Sequence, residues 1–344
     1  MKNFLRKVVY IRAYNLNLLK LLLWKIQRRD IIAINATCGL GDYLWIRNYL
    51  PLIHQQHPNS KILLIALVRN RAFIQHVDSK NVDALHCFMH DAFFPDWRDT
   101  LLLRMFRMDV YLDFFASERK NLAKVVKTRV RYENVRSKPL FCREQNDLFV
   151  SQFIHFAAPL SHTLPIFPIT DESKMKEISH PFAIVVEEGN SQGRFSREQL
   201  SAFVTHLLGK GLSIFFNGNY TELCNYLPKE QTVNIIDGYR YPLHEYMYVI
   251  KHARLMVTPN TGLYHFATQL GCPCVVTTLR ECLTLDMDNP IQQHLLDPKL
   301  EEAYRTQGIA NLCPYGYYEC DQTVFPIEQL LSAIDDLLAK TEKE

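Results

Sequence analysis

Residues 254–276 constrain the fold more than any other segment of the chain. Residues 254–257 (RLMV) are apolar enough for a buried strand, apolar residues then recur at helical spacing from 263 to 270, and Gly271 stands where a glycine often ends a helix. A further apolar run, 274–276 (CVV), follows at once. This order of strand, turn, helix and strand predicts a parallel sheet, because parallel neighbours are usually joined by a crossover helix.

The same alternation of strands and helices recurs on both sides of a proline-rich stretch. The predicted strands are 31–36, 61–67, 109–114, 182–187, 212–216, 232–236 and 254–257, and the predicted helices are 43–54, 69–76, 197–208, 220–227 and 243–252. Residues 86–99 are expected to form a loop. The alternation predicts an α/β protein whose parallel sheets are covered on both faces, and 344 residues suit two domains.

These patterns divide the chain into five parts. A basic segment, 1–29, precedes an N-terminal domain, 30–160. Prolines without a periodic element mark 161–180 as a linker, and a C-terminal domain follows over 181–325. Pro326 then opens a terminal amphipathic helix, 326–344, since proline suits the first turn of a helix.

The N-terminal segment 1–29 has an unusual composition. It contains eight lysines and arginines among leucines, isoleucines and Trp24, and no acidic residue occurs before Asp30. Such a segment suits an amphipathic helix that lies on an anionic membrane surface. The alternative is a helix packed on the protein body with solvated arginines. A signal peptide fits poorly, and no uncharged apolar run reaches the length of a transmembrane helix.

Overall charge and cysteine content limit the partners and the compartment. The formal charge of +3 and the pI of about 8.3 are too mild to indicate nucleic acid as the main partner. Nine cysteines are an odd number in a long chain without a secretory leader, which favours thiols in a reducing compartment. We therefore expect a cytoplasmic protein.

The turn after residues 254–257 indicates an anion site. Thr258, Asn260 and Thr261 offer side-chain oxygens for a helix N-cap, and Gly262 allows a ligand to approach the backbone. The free N–H groups and positive dipole of a helix N-terminus favour phosphate or diphosphate there. His265, one turn further on, could also reach a phosphate. The alternatives are an ordinary capped turn and a packed histidine.

A second glycine turn follows strand 31–36. Gly39-Leu40-Gly41-Asp42 places a carboxylate at the start of a helix, where the dipole favours it. The third glycine of a dinucleotide fingerprint is missing, which disfavours a Rossmann oxidoreductase. Ligands bind beyond the carboxyl ends of parallel strands, so two such domains facing each other are expected to place Asp42 and Thr261 across one central cleft.

Several motifs, in this order, resemble glycosyltransferase family 9, the bacterial lipopolysaccharide heptosyltransferases. They are residues 39–42 (GLGD), 189–200 (GNSQGRFSREQL), 217–222 (NGNYTE) and 258–267 (TPNTGLYHFA), with Cys313 and Cys320 ahead of the terminal helix. The resemblance covers residues 31–335. It implies a GT-B fold of two Rossmann-like domains with parallel sheets facing a central cleft.

The resemblance also implies roles for individual residues. Asp42 matches the catalytic base of an inverting transfer, and Arg194 matches the basic residue that steadies the leaving diphosphate. The acceptor-side loop contains Gly39 and Gly41. No metal and no cofactor are implied. The residues expected to bind the donor are Gly218, Glu222, Asn260, Thr261, Gly262 and His265.

The predicted function is therefore transfer of a sugar from an ADP-, UDP- or similar nucleotide donor to the lipid-anchored lipopolysaccharide core oligosaccharide, at the cytoplasmic face of the inner membrane. Asn260 stands where the family usually has an acid, and residues 277–282 lack its glycine and proline turn. A heptose, a hexose and an N-acetylhexosamine therefore remain alternative donor sugars. The alternative function is a non-catalytic sugar-nucleotide or glycan-binding protein, against which the presence of both Asp42 and Arg194 argues.

Overall fold

A computed structural model describes residues 2–88, 108–114, 126–131, 149–156, 178, 181–189, 193–259, 261–278, 292–296 and 326–341. The chain forms two compact units, Met1–Phe167 and Pro168–Glu344. Each unit contains a parallel sheet, so the predicted α/β class with two parallel sheets is confirmed. The predicted linker lies almost entirely outside the described residues.

Unit 1 is built on a five-stranded sheet with the strand order β3-β2-β1-β4-β5. All of its strand pairs are parallel. Every residue of β1 is buried, as expected for a strand covered on both faces. In chain order the elements are α1 (Lys2–Ile26), β1 (Ile31–Ala36), α2 (Leu40–Arg47), α3 (Leu50–Gln56), β2 (Lys61–Leu67), a 3-10 turn (Val68–Asn70), α4 (Arg71–Val77), β3 (Ala84–Phe88), β4 (Met108–Asp113) and β5 (Val126–Arg131).

Unit 2 is built on a six-stranded sheet with the order β10-β9-β6-β11-β12-β13, again parallel throughout. A short antiparallel hairpin, β7 with β8, has two residues in each strand and is not part of this sheet. The elements are β6 (Phe182–Val186), β7 (Glu188–Gly189), β8 (Gly193–Arg194), α5 (Arg197–Gly209), β9 (Ser213–Asn217), α6 (Tyr220–Tyr226), α7 (Lys229–Thr232), β10 (Ile235–Asp237), a 3-10 turn (Gly238–Arg240), α8 (Leu243–His252), β11 (Leu255–Pro259), α9 (Gly262–Leu270), β12 (Cys274–Thr278), β13 (Gln292–Leu296) and α10 (Ile327–Thr341).

The N-terminal helix α1 packs one of its faces on the sheet of unit 1. Leu21 and Trp24 are buried in a cluster with apolar residues of β1 and β2. Asn17 donates from Nδ2 to the carbonyl of Leu85 at 3.0 Å, and Lys25 Nζ lies 3.0 Å from the Asp109 carboxylate. Packing on the body, one of the two expectations for residues 1–29, therefore holds for this face. No helix in the described ranges is long and apolar enough to cross a bilayer.

A buried ion pair fixes α2 to the end of α4. Asp78 accepts from Arg47 Nε at 3.0 Å and from the Tyr43 hydroxyl at 2.7 Å, and both charged side chains are almost completely buried. Burial, reinforced by Asp78, raises the pKa of the Tyr43 hydroxyl, which therefore stays a proton donor. Because removal of either charge would leave the other uncompensated, this contact orients α2 firmly.

The core of unit 2 is closed by α5 and α10. Leu330, Ala333, Ile334 and Leu337 recur at helical spacing and are buried against apolar residues of the sheet and of α5. The start of α5 is held by a capping box, in which Ser196 Oγ accepts from Gln199 N and Gln199 Oε1 accepts from Ser196 N.

Some predicted boundaries were wrong. The single helix expected over 43–54 begins three residues earlier and is broken into α2 and α3, because Pro51 has no N–H to continue the hydrogen bonds of α2. His86, placed in a loop, is buried in β3. The strand expected at 232–236 is α7 followed by the shorter β10, and β3, β5, β13 and the β7–β8 hairpin were not predicted.

Candidate functional site

Both sheets have a topological switch point at their central strands. In unit 2 the chain proceeds from β6 to β9 and β10 on one side and then continues at β11 on the other. In unit 1 the corresponding switch lies between β1 and β4. Loops that leave such strands at their carboxyl ends form the usual ligand site of an open α/β sheet. The predicted site residues follow β1, β6, β9 and β11.

Arg194 is held by a buried carboxylate at the end of β6. Glu187 directly follows β6, and the β7–β8 hairpin folds the chain back so that Arg194 returns to it. Arg194 donates from Nε to Glu187 Oε1 at 2.6 Å, and its Nη2 contacts the same oxygen. These hydrogen bonds raise the pKa of Arg194, so the guanidinium is a fixed positive charge. Half of the Arg194 side chain is exposed, whereas that of Glu187 is 4% exposed.

Glu222 lies in the first turn of α6, beside the same arginine. Its carboxylate accepts from Tyr226 Oη at 2.7 Å, from Arg197 Nη2 at 2.8 Å and from Asn219 Nδ2 at 2.9 Å. Arg194 Nη2 lies 3.4 Å from Glu222 Oε2. The Tyr226 hydroxyl above all, and then Arg197, lower the pKa of Glu222. Glu222 is therefore an ionised, partly exposed acceptor of hydrogen bonds.

Gly218 allows the turn after β9 to lie against Glu187. A Cβ on this glycine would lie 2.5 Å from Glu187 Cβ and 2.6 Å from Phe216 Cζ, closer than atoms can pack. The close approach lets Asn219 donate its backbone N–H to Glu187 Oε2 at 2.5 Å. Asn219 also caps α6 by accepting from the Glu222 N–H at 3.3 Å. The absence of a side chain at Gly218 therefore lets this turn pack closely against Glu187 and Phe216.

These side chains border an open cavity of about 220 Å³. Its lining combines apolar side chains with two arginines, two carboxylates, an amide, a serine and a tyrosine, and Arg197 is stacked over the Tyr226 ring at 4.8 Å. Such a mixture can bind a molecule that has both hydroxyl and phosphate groups. The lining residues are Glu187, Arg194, Phe195, Ser196, Arg197, Leu200, Phe216, Asn219, Glu222, Leu223 and Tyr226.

The turn after β11 contains the N-terminus of α9. Thr261 is its N-cap, as predicted, and accepts from the Leu263 N–H at 3.2 Å, while Thr258 Oγ1 lies 3.3 Å from Thr261 Oγ1. Gly262 is the first residue of the helix, and Gly271 ends it in the left-handed conformation with φ of 73°, as also predicted. Because β11 lies beside β6 and contacts β7, this turn neighbours the Glu187 loop.

Two residues predicted to bind the donor remain, His265 and Asn260. His265 is half-buried one turn inside α9, with its ring 4.8 Å from that of Tyr264. Asn260 lies outside the described residues. The structure therefore brings Arg194, Gly218 and Glu222 together, with Thr261 in the adjacent loop.

The predicted acceptor-side residues follow β1 in unit 1. The turn is stiffened by Thr37, which donates from Oγ1 to Asn35 Oδ1 at 2.7 Å, and by Asn70, which donates to the carbonyl of Cys38 at 3.1 Å. Because α2 begins at Leu40, Gly39 precedes the helix, whereas Gly41 lies inside it rather than in the predicted loop. Asp42 is the third residue of α2, at the positive end of the helix dipole.

Sequence reasoning missed four residues of the site: Glu187, Arg197, Asn219 and Tyr226. One signal was available, since Glu187 is a carboxylate at the end of a predicted strand next to the switch point. Within the described ranges, no group of three or more histidine, cysteine or acidic side chains is arranged to hold a metal ion.

No protein-family model matches the sequence, and no curated protein matches it. Solved structures do match. An ADP-heptose LPS heptosyltransferase II of E. coli has a TM-score of 0.62 and 15% identity over 91% of this chain and 99% of its own. The E. coli heptosyltransferase WaaC with ADP has 0.59 and 14% over 91% and 100%. A family 9 glycosyl transferase of Veillonella parvula has 0.58 and 15% over 90% and 97%.

These likenesses extend over about nine tenths of the chain, at 14–15% identity. They confirm the resemblance to family 9 glycosyltransferases at the level of the fold. The chain has the two-unit α/β architecture of these GT-B-like enzymes. Identity this low establishes the fold and not the activity.

Proposed function

We propose that the protein is an inverting glycosyltransferase that moves one sugar from a nucleoside diphosphate donor to the lipopolysaccharide core oligosaccharide. The observation that carries the proposal is the anchored Arg194, beside the ionised Glu222, at the switch point of a fold that is similar to heptosyltransferases. The resemblance of the sequence motifs to family 9 also implies roles in donor binding for both residues.

The cluster suits the two polar parts of a nucleotide sugar. An ionised carboxylate such as Glu222 accepts hydrogen bonds from ribose hydroxyls, as acids near the switch point of dinucleotide-binding sheets do. Arg194 offers an exposed, planar set of N–H donors for the diphosphate. The N–H groups at the start of α9, around Thr261 and Gly262, share the charge of the phosphates, and His265 lies one turn behind them.

In the proposed reaction Asp42 acts as the general base. It takes the proton of the acceptor hydroxyl as that oxygen bonds to the anomeric carbon from the side opposite the diphosphate. The bond from the anomeric carbon to the phosphate oxygen breaks, and Arg194 stabilises the charge that develops on the departing nucleoside diphosphate. One displacement inverts the anomeric configuration. Gly39, which precedes α2, allows the acceptor to approach the backbone on this side.

The donor sugar is a heptose, a hexose or an N-acetylhexosamine, and the donor nucleotide is ADP, UDP or a similar diphosphate. The neutral Asn260 cannot offer the charged acceptor that an acid would place at that position. We propose that no metal takes part, because guanidinium and helix N–H donors supply the positive charge that the leaving diphosphate needs. The acceptor is lipid-anchored, so the protein works peripherally at the cytoplasmic face of the inner membrane.

One experiment separates catalysis from binding alone. A thermal-shift screen of ADP-, UDP- and GDP-sugars identifies the donor, because a ligand that binds only the folded state raises the melting temperature. The selected donor is then incubated with truncated core oligosaccharides, and the product mass and anomeric configuration are measured. We expect an acceptor heavier by one sugar, with inverted configuration, in buffer with or without EDTA.

Three outcomes would contradict parts of the proposal. A thermal shift without product on any acceptor would identify a sugar-nucleotide-binding protein instead. A product with retained configuration would exclude Asp42 as the base of a single displacement. Loss of activity in EDTA, restored by a divalent metal, would exclude the metal-independent mechanism.

A further inference from the structure

The helix α1 has a second face that nothing in the described structure covers. Ten large apolar side chains are conspicuously exposed among the described residues, and six of them lie on this one helix. Leu19 and Ile26 are 62% and 70% exposed, far more than a residue in contact with the body would be. We call these six the outer stripe. They are Ile11, Leu16, Leu19, Leu22, Leu23 and Ile26.

Helical geometry places the outer stripe opposite the body. At 3.6 residues per turn the six positions fall within an arc of about 140°, so they share one face of the helix. The residues that contact the body, Asn17, Leu21 and Trp24, lie on the other side. From Ile11 to Ile26 the stripe is about 22 Å long at 1.5 Å per residue. Arg12 and Asn15 interrupt it near Ile11, and from Leu16 to Ile26 it is a continuous apolar surface.

The charges around the stripe have a single sign. Residues 1–29 contain eight lysines and arginines and no aspartate or glutamate. Arg12 and Arg28 are exposed, whereas Lys20 and Lys25 are bound to unit 1, through the carbonyl of Asp83 and the carboxylate of Asp109. The apolar stripe is therefore combined with a positive potential and lacks any acid that could repel an anionic surface.

We propose that the outer stripe docks α1 flat into the headgroup region of an anionic lipid bilayer. In this arrangement the helix lies between the bilayer and unit 1, with Leu19 and Leu23 in the apolar boundary and Arg12 and Arg28 near lipid phosphates. A second copy of the chain is a poorer occupant, because pairing two stripes would bring together two helices that each contain six lysines and arginines and no acidic residue.

The docking proposal does not depend on the proposed transfer reaction, so either proposal can be wrong while the other holds. The test uses the full chain and vesicles of phosphatidylcholine, with or without phosphatidylglycerol, and measures the bound fraction by flotation. We expect binding to the anionic vesicles and weaker binding as salt is raised. Leu19→Glu combined with Leu23→Glu should lower the apparent affinity about tenfold or more, because it puts two charges into the apolar boundary.

A matched control changes the net charge equally at a distant exposed site. Lys229→Gln combined with Val233→Glu also removes two units of positive charge, but at the surface of unit 2, and should bind like the wild type. Leu19→Ala combined with Leu23→Ala should weaken binding by a smaller factor. Because alanine favours helix, this variant keeps the test valid if the glutamate variant folds poorly.

Three results would overturn the proposal. The first is absence of wild-type binding to anionic vesicles. The second is equal binding by the wild type and both Leu19/Leu23 variants. The third is a wild-type dimer, measured by light scattering, that the alanine variant converts to a monomer, since this would assign the outer stripe to an interface between copies of the chain.

Discussion

Arg194 donates from Nε to Glu187 Oε1 at 2.6 Å, although the Glu187 side chain is 4% exposed and that of Arg194 is 50% exposed. The buried carboxylate therefore works as a fixed anchor, and the guanidinium is presented outwards from it. An arginine held in this way loses little conformational freedom when it binds an anion, which is how a preorganised site favours a charged transition state.

Removal of Arg194 should lower both stability and activity. Arg194→Met leaves the Glu187 carboxylate without its partner, so we expect a loss of about 1–3 kcal/mol in unfolding free energy. We also expect kcat/KM to fall about 100-fold or more, as when a group that stabilises a leaving charge is removed. Urea denaturation and steady-state kinetics measure the two effects.

The double variant Arg194→Met with Glu187→Gln separates the effect on stability from the effect on activity. Because no buried charge remains, most of the lost stability should return while activity stays low. Arg240→Met is the control, since it removes an arginine from an exposed pair with Asp237 and should change stability by less than about 1 kcal/mol. Recovery of activity in the double variant would show that Arg194 acts only by supporting the fold.

Glu222 should govern binding of the nucleotide half of the donor. We expect Glu222→Gln to weaken nucleotide-sugar binding about 10- to 100-fold at pH 7, because hydrogen bonds to a charged acceptor are lost. Isothermal titration calorimetry measures the affinity. Glu230→Gln, an exposed acid on α7, is the control and should bind normally. Normal binding by Glu222→Gln would place the nucleoside elsewhere.

The pH dependence of stability at Glu222 follows from the lowered pKa of this side chain. The Tyr226 hydroxyl is the first cause of the lowered pKa, and Arg197 is the second. A group whose pKa is depressed in the folded state contributes stability above its unfolded pKa, and that contribution is lost as pH falls through the folded value. Glu222 should therefore remain ionised at pH values near the reference glutamate pKa, which is about 4.3. Carboxylate titration followed by NMR should show a higher pKa of Glu222 in Tyr226→Phe.

Gly218 offers a test of close packing beneath the site. Gly218→Ala places a Cβ 2.5 Å from Glu187 Cβ, so we expect a loss of about 1–3 kcal/mol in stability and weaker donor binding as Glu187 and Arg194 shift. Gly209→Ala is the matched control. Its Cβ meets nothing within 4 Å at the end of α5, and alanine should stabilise the helix slightly. Equal melting temperatures of the two variants would contradict this packing.

Local features of the fold could be predicted from the sequence, whereas contacts between distant residues could not. The Thr261 N-cap and the Gly271 C-cap depend on a few neighbouring residues, and both were identified. The pairing of Arg194 with Glu187 depends on the two-residue strands β7 and β8, which are too short to produce a periodic pattern.

The missed strands have a related explanation. Residues 84–88 (ALHCF), 126–131 (VKTRVR) and 292–296 (QQHLL) form the edge strands β3, β5 and β13, which lack the continuous apolar run of the central strands. The contact of Arg197 with Glu222 joins residues 25 positions apart and exists only because β6 and β9 are neighbours. Such contacts follow from strand order, which the pattern of apolar residues does not determine.

Substitution of Asp42, the proposed base, is the most direct test of the proposed catalysis. Asp42→Asn keeps the size of the side chain and the start of α2 but removes the group that accepts the proton, so kcat should fall about 10²- to 10⁴-fold. Donor affinity, measured by calorimetry, should stay within about threefold of the wild type, because the donor-binding residues belong to unit 2. Asp30→Asn, an exposed acid ahead of β1, is the matched control and should retain activity. Full activity of Asp42→Asn would require another base. Loss of donor affinity together with kcat would instead give Asp42 a role in binding.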